Sequence, residues 1–208
     1  MKNKATEVFN KWAQTGKDEG MKRNHFNSYV HIKEIIKSHL SKKKDLEIAD
    51  IGCGNGWATD DLLKEKYISK ATGFDGANKM IEKAKATFKR PEFIQSNLNK
   101  WSPTQSFDLI YSMEVLYYLS SPSSFIKQCN LKWLRPGGLF IAGIDHYKEN
   151  KPSLSWEADL NVKMQTKMKN EWKELLIEND FNDCNIMQVN ENKDWAGTLI
   201  FWGFKNAI

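Results

Sequence analysis

Leu46-Glu47-Ile48-Ala49-Asp50-Ile51-Gly52-Cys53-Gly54-Asn55-Gly56 is a short apolar stretch that runs into three glycines at every second position. From Trp57 a helix is predicted, with Trp57, Ala58, Leu62 and Leu63 sharing a buried face. Strand, tight glycine turn and helix start together hold a nucleotide-like ligand at the carboxyl end of a parallel strand. Glycine suits such a turn twice over. The backbone angles are unusual, and the ligand touches the backbone where a Cβ would stand. The spacing argues against one ligand class. A dinucleotide loop reads G-x-G-x-x-G, and its last glycine lets helix and strand pack closely. Trp57 occupies that last position here, which argues against a pyrophosphate cradle.

Downstream of the loop, strands and helices alternate. Residues 71–75 read as a second, short strand and 77–88 as a helix ended by Pro91. Strands follow at 92–95 and 107–112. A helix is predicted over 122–134, opening with Ser121 as cap and Pro122 at the first helical position. Pro136-Gly137-Gly138 reads as a turn before a fifth strand over 139–144. This alternation predicts a parallel sheet with helices on both faces. The tail departs from it: a helix over 168–179, then strands over 184–189 and 198–204. Their connection, 190–197, is too short for a helical crossover, so these two strands are antiparallel. Upstream, Val8, Phe9 and Trp12 have helical spacing, and Gly16 to Gly20 makes a break. Phe26, Tyr29, Val30, Ile32, Ile36 and Leu40 form an apolar stripe that predicts a helix over about 21–40.

Asp75 ends the second strand. An acidic side chain there accepts hydrogen bonds from both hydroxyls of a ribose. The structural alternative is a cap on the following helix. Asp50 just ahead of Gly52-x-Gly54-x-Gly56 resembles the first motif of the class I S-adenosylmethionine-dependent methyltransferases. Asp75, Ala77 and Met80 match that family's next pattern, although Met80 also fits plain core packing. Ser96-Asn97-Leu98 stands where the family often has an acidic residue on the adenine amino group. Asn97 departs from that pattern, and its amide carbonyl can still accept. Residues 107–119 resemble the fourth-strand motif, and Leu134-Arg135-Pro136-Gly137-Gly138-Leu139-Phe140 looks like the turn before the fifth strand. Four motifs thus stand in order over 46–144.

The resemblance implies an α/β fold: a doubly wound, mostly parallel seven-stranded sheet with an antiparallel last strand and an N-terminal helical lid. It implies one methyltransferase domain over 1–208, with a lid at 1–45, a cofactor-binding core at 46–144, and a substrate loop plus antiparallel strands at 145–208. S-adenosylmethionine is the implied cofactor. Asp50, Gly52, Cys53, Gly54 and Gly56 would hold its amino-acid end. Asp75 would hold the ribose, Asn97 and Leu98 would bracket the adenine, Gly76 and Met80 would join the cofactor site, and Ser112 and Met113 would meet the methionine part.

The acceptor side is sought outside the core. Trp12, Met21 and His25 lie in the lid segment; Glu114 and Tyr117 follow the fourth strand; His146 and Tyr147 follow the fifth; Trp195 lies in a late loop. His25, Glu114 and His146 are the candidate bases, with Trp12, Met21, Tyr117, Tyr147 and Trp195 around the substrate. The four His show no H-x-x-x-H and no Cys at zinc spacing, and Asp145 alone is thin for a carboxylate metal site, so no metal is expected. A net charge of +5 is too mild for a nucleic-acid partner. No apolar run approaches the ~18 residues of a membrane span, and no signal core follows Lys4. Three scattered Cys fit a reducing compartment, so a cytoplasmic protein acting on a small molecule is expected. The rivals are a nicotinamide oxidoreductase, a non-catalytic cofactor-binding partner subunit, and a methyltransferase acting on RNA or protein.

Overall fold

The computed structural model describes residues 2–207. Two helices, α1 (Ala5–Thr15) and α2 (Glu19–Leu40), lead into β1 (Leu46–Ile51). There follow α3 (Trp57–Leu62), β2 (Ile68–Asp75), α4 (Asn78–Thr87), β3 (Glu92–Gln95) and β4 (Phe107–Met113). The order ends with α5 (Pro122–Gln128), β5 (Leu134–Ile144), the short α6 (Trp156–Asp159), α7 (Lys169–Ile177), β6 (Asn182–Val189) and β7 (Thr198–Phe204). The seven strands make one sheet in the order β3-β2-β1-β4-β5-β7-β6. The first five in that row are parallel, and β7 runs antiparallel between β5 and β6. The expected sheet, with its antiparallel last strand, is the observed one. Its order reverses between β1 and β4, which opens a crevice beyond their carboxyl ends.

Alternation along each strand builds the two layers. Ile48, Leu109, Tyr111, Leu139, Ile141, Ile200 and Trp202 pack on one face with the α2 stripe of Tyr29, Ile32, Ile36 and Leu40 and with Ala58 and Leu62 of α3. Their neighbours Ala49, Ile51, Ile110, Phe140, Ala142, Leu199 and Phe201 pack on the other face with Phe125 and Ile126 of α5 and Trp172, Leu175 and Leu176 of α7. Successive side chains point to opposite faces, so near-continuous apolar runs are what a sheet covered on both sides requires.

Several boundaries differ from the sequence expectation, each for a long-range reason. β2 starts at Ile68 rather than at 71, because Leu46 of β1 pairs with it. The helix expected to 134 stops as an α-helix at Gln128 and widens into a π-helical turn over Cys129–Trp133. Pro136-Gly137-Gly138 is no inter-element turn. β5 already begins at Leu134, opposite Phe107, and resumes pairing at Leu139 opposite Leu109, so the intervening residues bulge. Lys205 holds the bulge from the far side: its N–H donates to Gly138 O at 2.9 Å, and Gly137 N–H donates to Lys205 O at 3.1 Å. The break after α1 is confined to 16–18, since Gly16 ends α1 in the left-handed conformation and Gly20 lies inside α2. No helix among the described residues is long and apolar enough to cross a membrane.

Candidate active site

A cavity of about 1370 Å³ lies beyond the carboxyl ends of β1, β2, β4 and β5, with α1 and the first turns of α2 as its roof. That exceeds the ~300–1,000 Å³ of a pocket for one small ligand. One half is built from the glycine loop. Gly52, Gly54 and Gly56 all have positive φ, at 75°, 53° and 83°. Gly52 N–H and Cys53 N–H both donate to Phe74 O, at 2.7 and 3.1 Å, which ties the loop to β2. Asp75 fastens the same corner: its carboxylate accepts from Gly54 N–H at 2.9 Å and from Ala77 N–H at 2.7 Å. It lines the cavity and ties the glycine loop to the turn before α4, whose N-cap is Ala77 with no side-chain capping bond, so the alternative reading of Asp75 as a helix cap does not hold. Burial raises its pKa, and these backbone N–H groups oppose the rise.

Asp50 is 2% exposed, and its carboxylate accepts from Thr59 Oγ1 at 2.6 Å. Burial pushes its pKa up to about 7; the Thr59 hydrogen bond opposes this and Asp75 adds to it. Cys53, Gly76, Met80, Asn97, Leu98 and Met113 line the same cavity. The Asn97 carbonyl also accepts from Asn99 N–H at 3.1 Å, capping a short 3₁₀ turn. Burial raises the Cys53 thiol well above its usual range, so it stays protonated.

Two cofactor candidates stand elsewhere. Gly56 does not line the cavity; a Cβ there would meet Phe93 at 2.6 Å and Ala84 at 2.9 Å, so this glycine serves the packing of β3 and α4. Ser112 is buried within the sheet and its Oγ donates to Ile51 O at 3.0 Å, away from the cavity.

The other half is a wall of aromatic and acidic side chains. Trp12, Met21, His25, Glu114, Tyr117 and Trp195 line it, together with Phe9, Tyr118, Trp156 and Thr198. His146 and Tyr147 do not. His146 is 1% exposed and both ring nitrogens are engaged, by Ser153 O at 2.9 Å and Thr166 Oγ1 at 2.8 Å. Tyr147 is fully buried, and its hydroxyl donates to Ala196 O at 2.8 Å and Gly197 O at 3.0 Å. Asp145 faces the cavity instead of its neighbour, with Oδ2 3.6 Å from His25 Nδ1. Thr198 Oγ1 donates to Asp145 Oδ1 at 2.5 Å, Ser28 Oγ lies 2.6 Å from Thr198 Oγ1, and Asn190 Nδ2 donates to Ser28 at 2.9 Å. Position alone carried a signal for Asp145, since it is the first residue after β5 at the ligand-binding edge. Thr198, Ser28 and Asn190 left no signal in the sequence.

Burial sets the protonation of this wall. Glu114 is raised well above the usual carboxylate range by burial and by Asp145 beside it. Asp145 is raised by burial, against the Thr198 hydrogen bond and the charge of His25. His25 is lowered by burial, against the pull of Asp145. Glu114 also sits at φ +60°, a left-handed conformation for a residue with a side chain.

The roof is pinned to the loop. Asp18, fully buried, accepts from Lys83 Nζ and Asn55 Nδ2, each at 2.8 Å. Asn10 Oδ1 accepts from Lys79 N–H at 2.8 Å, and the Phe9 ring meets Tyr118 edge-on at 5.4 Å.

The sequence model of the family described as "Methyltransferase domain" matches residues 49–142. The mitochondrial ubiquinone biosynthesis O-methyltransferase of Saccharomyces cerevisiae is 28% identical over 62% of this chain and 42% of its own length. A malonyl-[acyl-carrier protein] O-methyltransferase of Paenibacillus is 27% identical over 80% of this chain and 66% of its own. The chain thus spans under half of the yeast relative. A chain in the complex of a Haloferax volcanii methyltransferase with the Trm112 methyltransferase activator has the same fold. Its TM-score is 0.80 at 23% identity, over 95% of this chain and 97% of that one. Glycine loop, sheet order and family model agree on a methyltransferase domain over residues 49–142, in a fold shared with solved S-adenosylmethionine-dependent methyltransferases.

Proposed function

We propose that the chain transfers a methyl group from S-adenosylmethionine to a small-molecule acceptor held against the wall of Tyr117, Glu114, Asp145 and His25. The carrying observation is one roofed cavity with two unlike halves, a glycine-and-carboxylate cradle and an aromatic wall with buried proton acceptors. When bound, S-adenosylmethionine supplies a methyl group already activated on a sulfonium. The chain's task is then alignment and exclusion of water. Asp50 and the backbone of Gly52 to Gly54 hold the amino-acid end, with the Asp50 carboxylate toward its ammonium group. Asp75 holds the ribose through the lone pairs its backbone contacts leave free. Met80, Asn97 and Leu98 bracket the base. Helices α1 and α2 cover both ligands.

The wall also supplies somewhere for a proton to go. A His with lowered pKa is neutral at pH 7 and keeps a lone pair, and a carboxylate with raised pKa is a stronger base than a free one. An acceptor that loses a proton on methylation would pass it to one of these three. The names of the curated relatives support methyl transfer and leave the acceptor open. The three cysteines, none of them in a disulfide, support a reducing compartment and hence the cytoplasm.

The test is incubation with methyl-labelled S-adenosylmethionine and a broad metabolite panel. Label in a small product, with S-adenosylhomocysteine formed in equal amount, is expected. Tight S-adenosylhomocysteine binding without turnover on any member would favour a non-catalytic module.

A further inference from the structure

His25 of α2, Glu114 after β4 and Asp145 after β5 each bring one ligand-competent atom within 4.8 Å of the other two. Each carboxylate has one oxygen already fixed by a hydroxyl. Thr198 Oγ1 donates to Asp145 Oδ1 at 2.5 Å, and Tyr117 OH donates to Glu114 Oε2 at 2.8 Å. The second oxygens, Glu114 Oε1 and Asp145 Oδ2, remain, together with His25 Nδ1. Glu114 Oε1 and His25 Nδ1 are buried with no hydrogen-bond partner. The 3.6 Å between His25 Nδ1 and Asp145 Oδ2 is too long for a hydrogen bond. Among the described residues, no Lys or Arg forms an ion pair with either carboxylate.

Such an arrangement is costly as it stands. Buried polar atoms without partners are destabilising, and two neighbouring carboxylates repel. Glu114 adds the strain of a left-handed backbone. A cation with vacant coordination positions would answer all three free lone pairs at once.

We propose that His25 Nδ1, Glu114 Oε1 and Asp145 Oδ2 bind a divalent first-row metal ion, with its open positions facing the acceptor half of the cavity. Two carboxylate oxygens and one imidazole nitrogen suit zinc, manganese or ferrous iron better than magnesium, which favours all-oxygen ligation. Ligands at ~2.0–2.2 Å from zinc stand roughly 3–4 Å apart, so binding draws the three atoms together by about 1 Å. Thr198 and Tyr117 act as the outer hydroxyls that orient the two carboxylates. Sequence spacing could not show this site, since its ligands come from three separate elements.

The experiment uses the full chain, stripped with chelator and passed into metal-free buffer. Zn²⁺, Mn²⁺ and Co²⁺ are added one at a time, without cofactor or acceptor, and binding is followed by calorimetry and elemental analysis. One ion per chain is expected, with visible absorption in the Co²⁺ form from a site of low symmetry. Glu114→Gln, Asp145→Asn and His25→Ala should each weaken binding at least tenfold. S-adenosylhomocysteine binding by each variant reports that it has folded. No binding of any of the three ions would overturn the proposal. So would binding unchanged in all three variants, which would put the ion on exposed groups such as His31 or His39. The metal is read without methyl transfer, so its absence leaves the proposed activity standing. Loss of cofactor binding by the unmutated chain would remove that activity and leave the metal site untouched.

Discussion

Gly52 and Gly54 share a left-handed backbone but face different neighbours. A Cβ on Gly52 would lie 2.0 Å from Cγ2 of Val115, a branched side chain beside the strained Glu114. A Cβ on Gly54 would lie 2.8 Å from Met21 Cε, the tip of a flexible side chain. Gly52→Ala is expected to cost about 2–4 kcal/mol in urea unfolding, from strain and overpacking together. Gly54→Ala should cost about 1–2 kcal/mol, mostly backbone strain. Equal losses would contradict the contact assignment. Asp50 gives a pH signature. Its folded pKa of about 7 stands above the unfolded value, so its contribution to stability is full below about pH 4 and is lost as pH rises through 7. Between pH 5 and 8 the melting temperature of the unmutated protein should therefore fall relative to that of Asp50→Asn. The two curves should converge at low pH. The ammonium group of the ligand's amino-acid end favours the carboxylate form, so S-adenosylhomocysteine affinity should rise over the same interval, and less so in the variant.

At the scale of elements, local pattern and long-range pairing divide the work. The α2 stripe is legible because Tyr29, Ile32, Ile36 and Leu40 follow helical spacing and all four are buried. The limits of β1, β3 and β7 are legible because turn chemistry or polar residues flank each apolar run. The start of β5 is not. Its Pro-Gly-Gly composition reads as a turn, and only Phe107 and Lys205, remote in sequence, draw Leu134 into the sheet. The roof is held the same way. Asp18 is buried at the N-cap of α2, and its partners Lys83 and Asn55 lie on α4 and in the glycine loop. Asp18→Ala should lower stability by about 1–3 kcal/mol. It should also speed protease cleavage near Gly16 while the core resists, as mass spectrometry of the fragments would show. Cleavage as slow as in the unmutated chain would mean that α1 and α2 are held by their apolar contacts alone.

For the whole molecule, the two halves of the cavity differ in how they are encoded. The glycine-loop half is local: a strand end, a loop and the next strand end bring Asp50, Gly52, Gly54 and Asp75 together, so short stretches of sequence contain it. The acceptor half gathers residues from α1, α2 and the ends of β4, β5 and β7, and no short window contains it. His146 and Asp145 illustrate the limit. Chemistry favours the imidazole, yet neighbouring side chains at a strand end point to opposite sides, and the cavity receives Asp145. The imidazole instead ties the 3₁₀ turn of Lys151–Ser155 to Thr166.

In the proposed complex the cofactor lies in the glycine cradle with its sulfur toward the wall of Tyr117, Glu114 and Asp145. The most direct measurement is a crystal structure with S-adenosylhomocysteine bound. The predicted result has the ribose hydroxyls on Asp75, the amino-acid end at Asp50 and Gly52, and the sulfur facing that wall beneath α1 and α2. A ligand bound away from the glycine loop, or a sulfur turned from the wall, would contradict it.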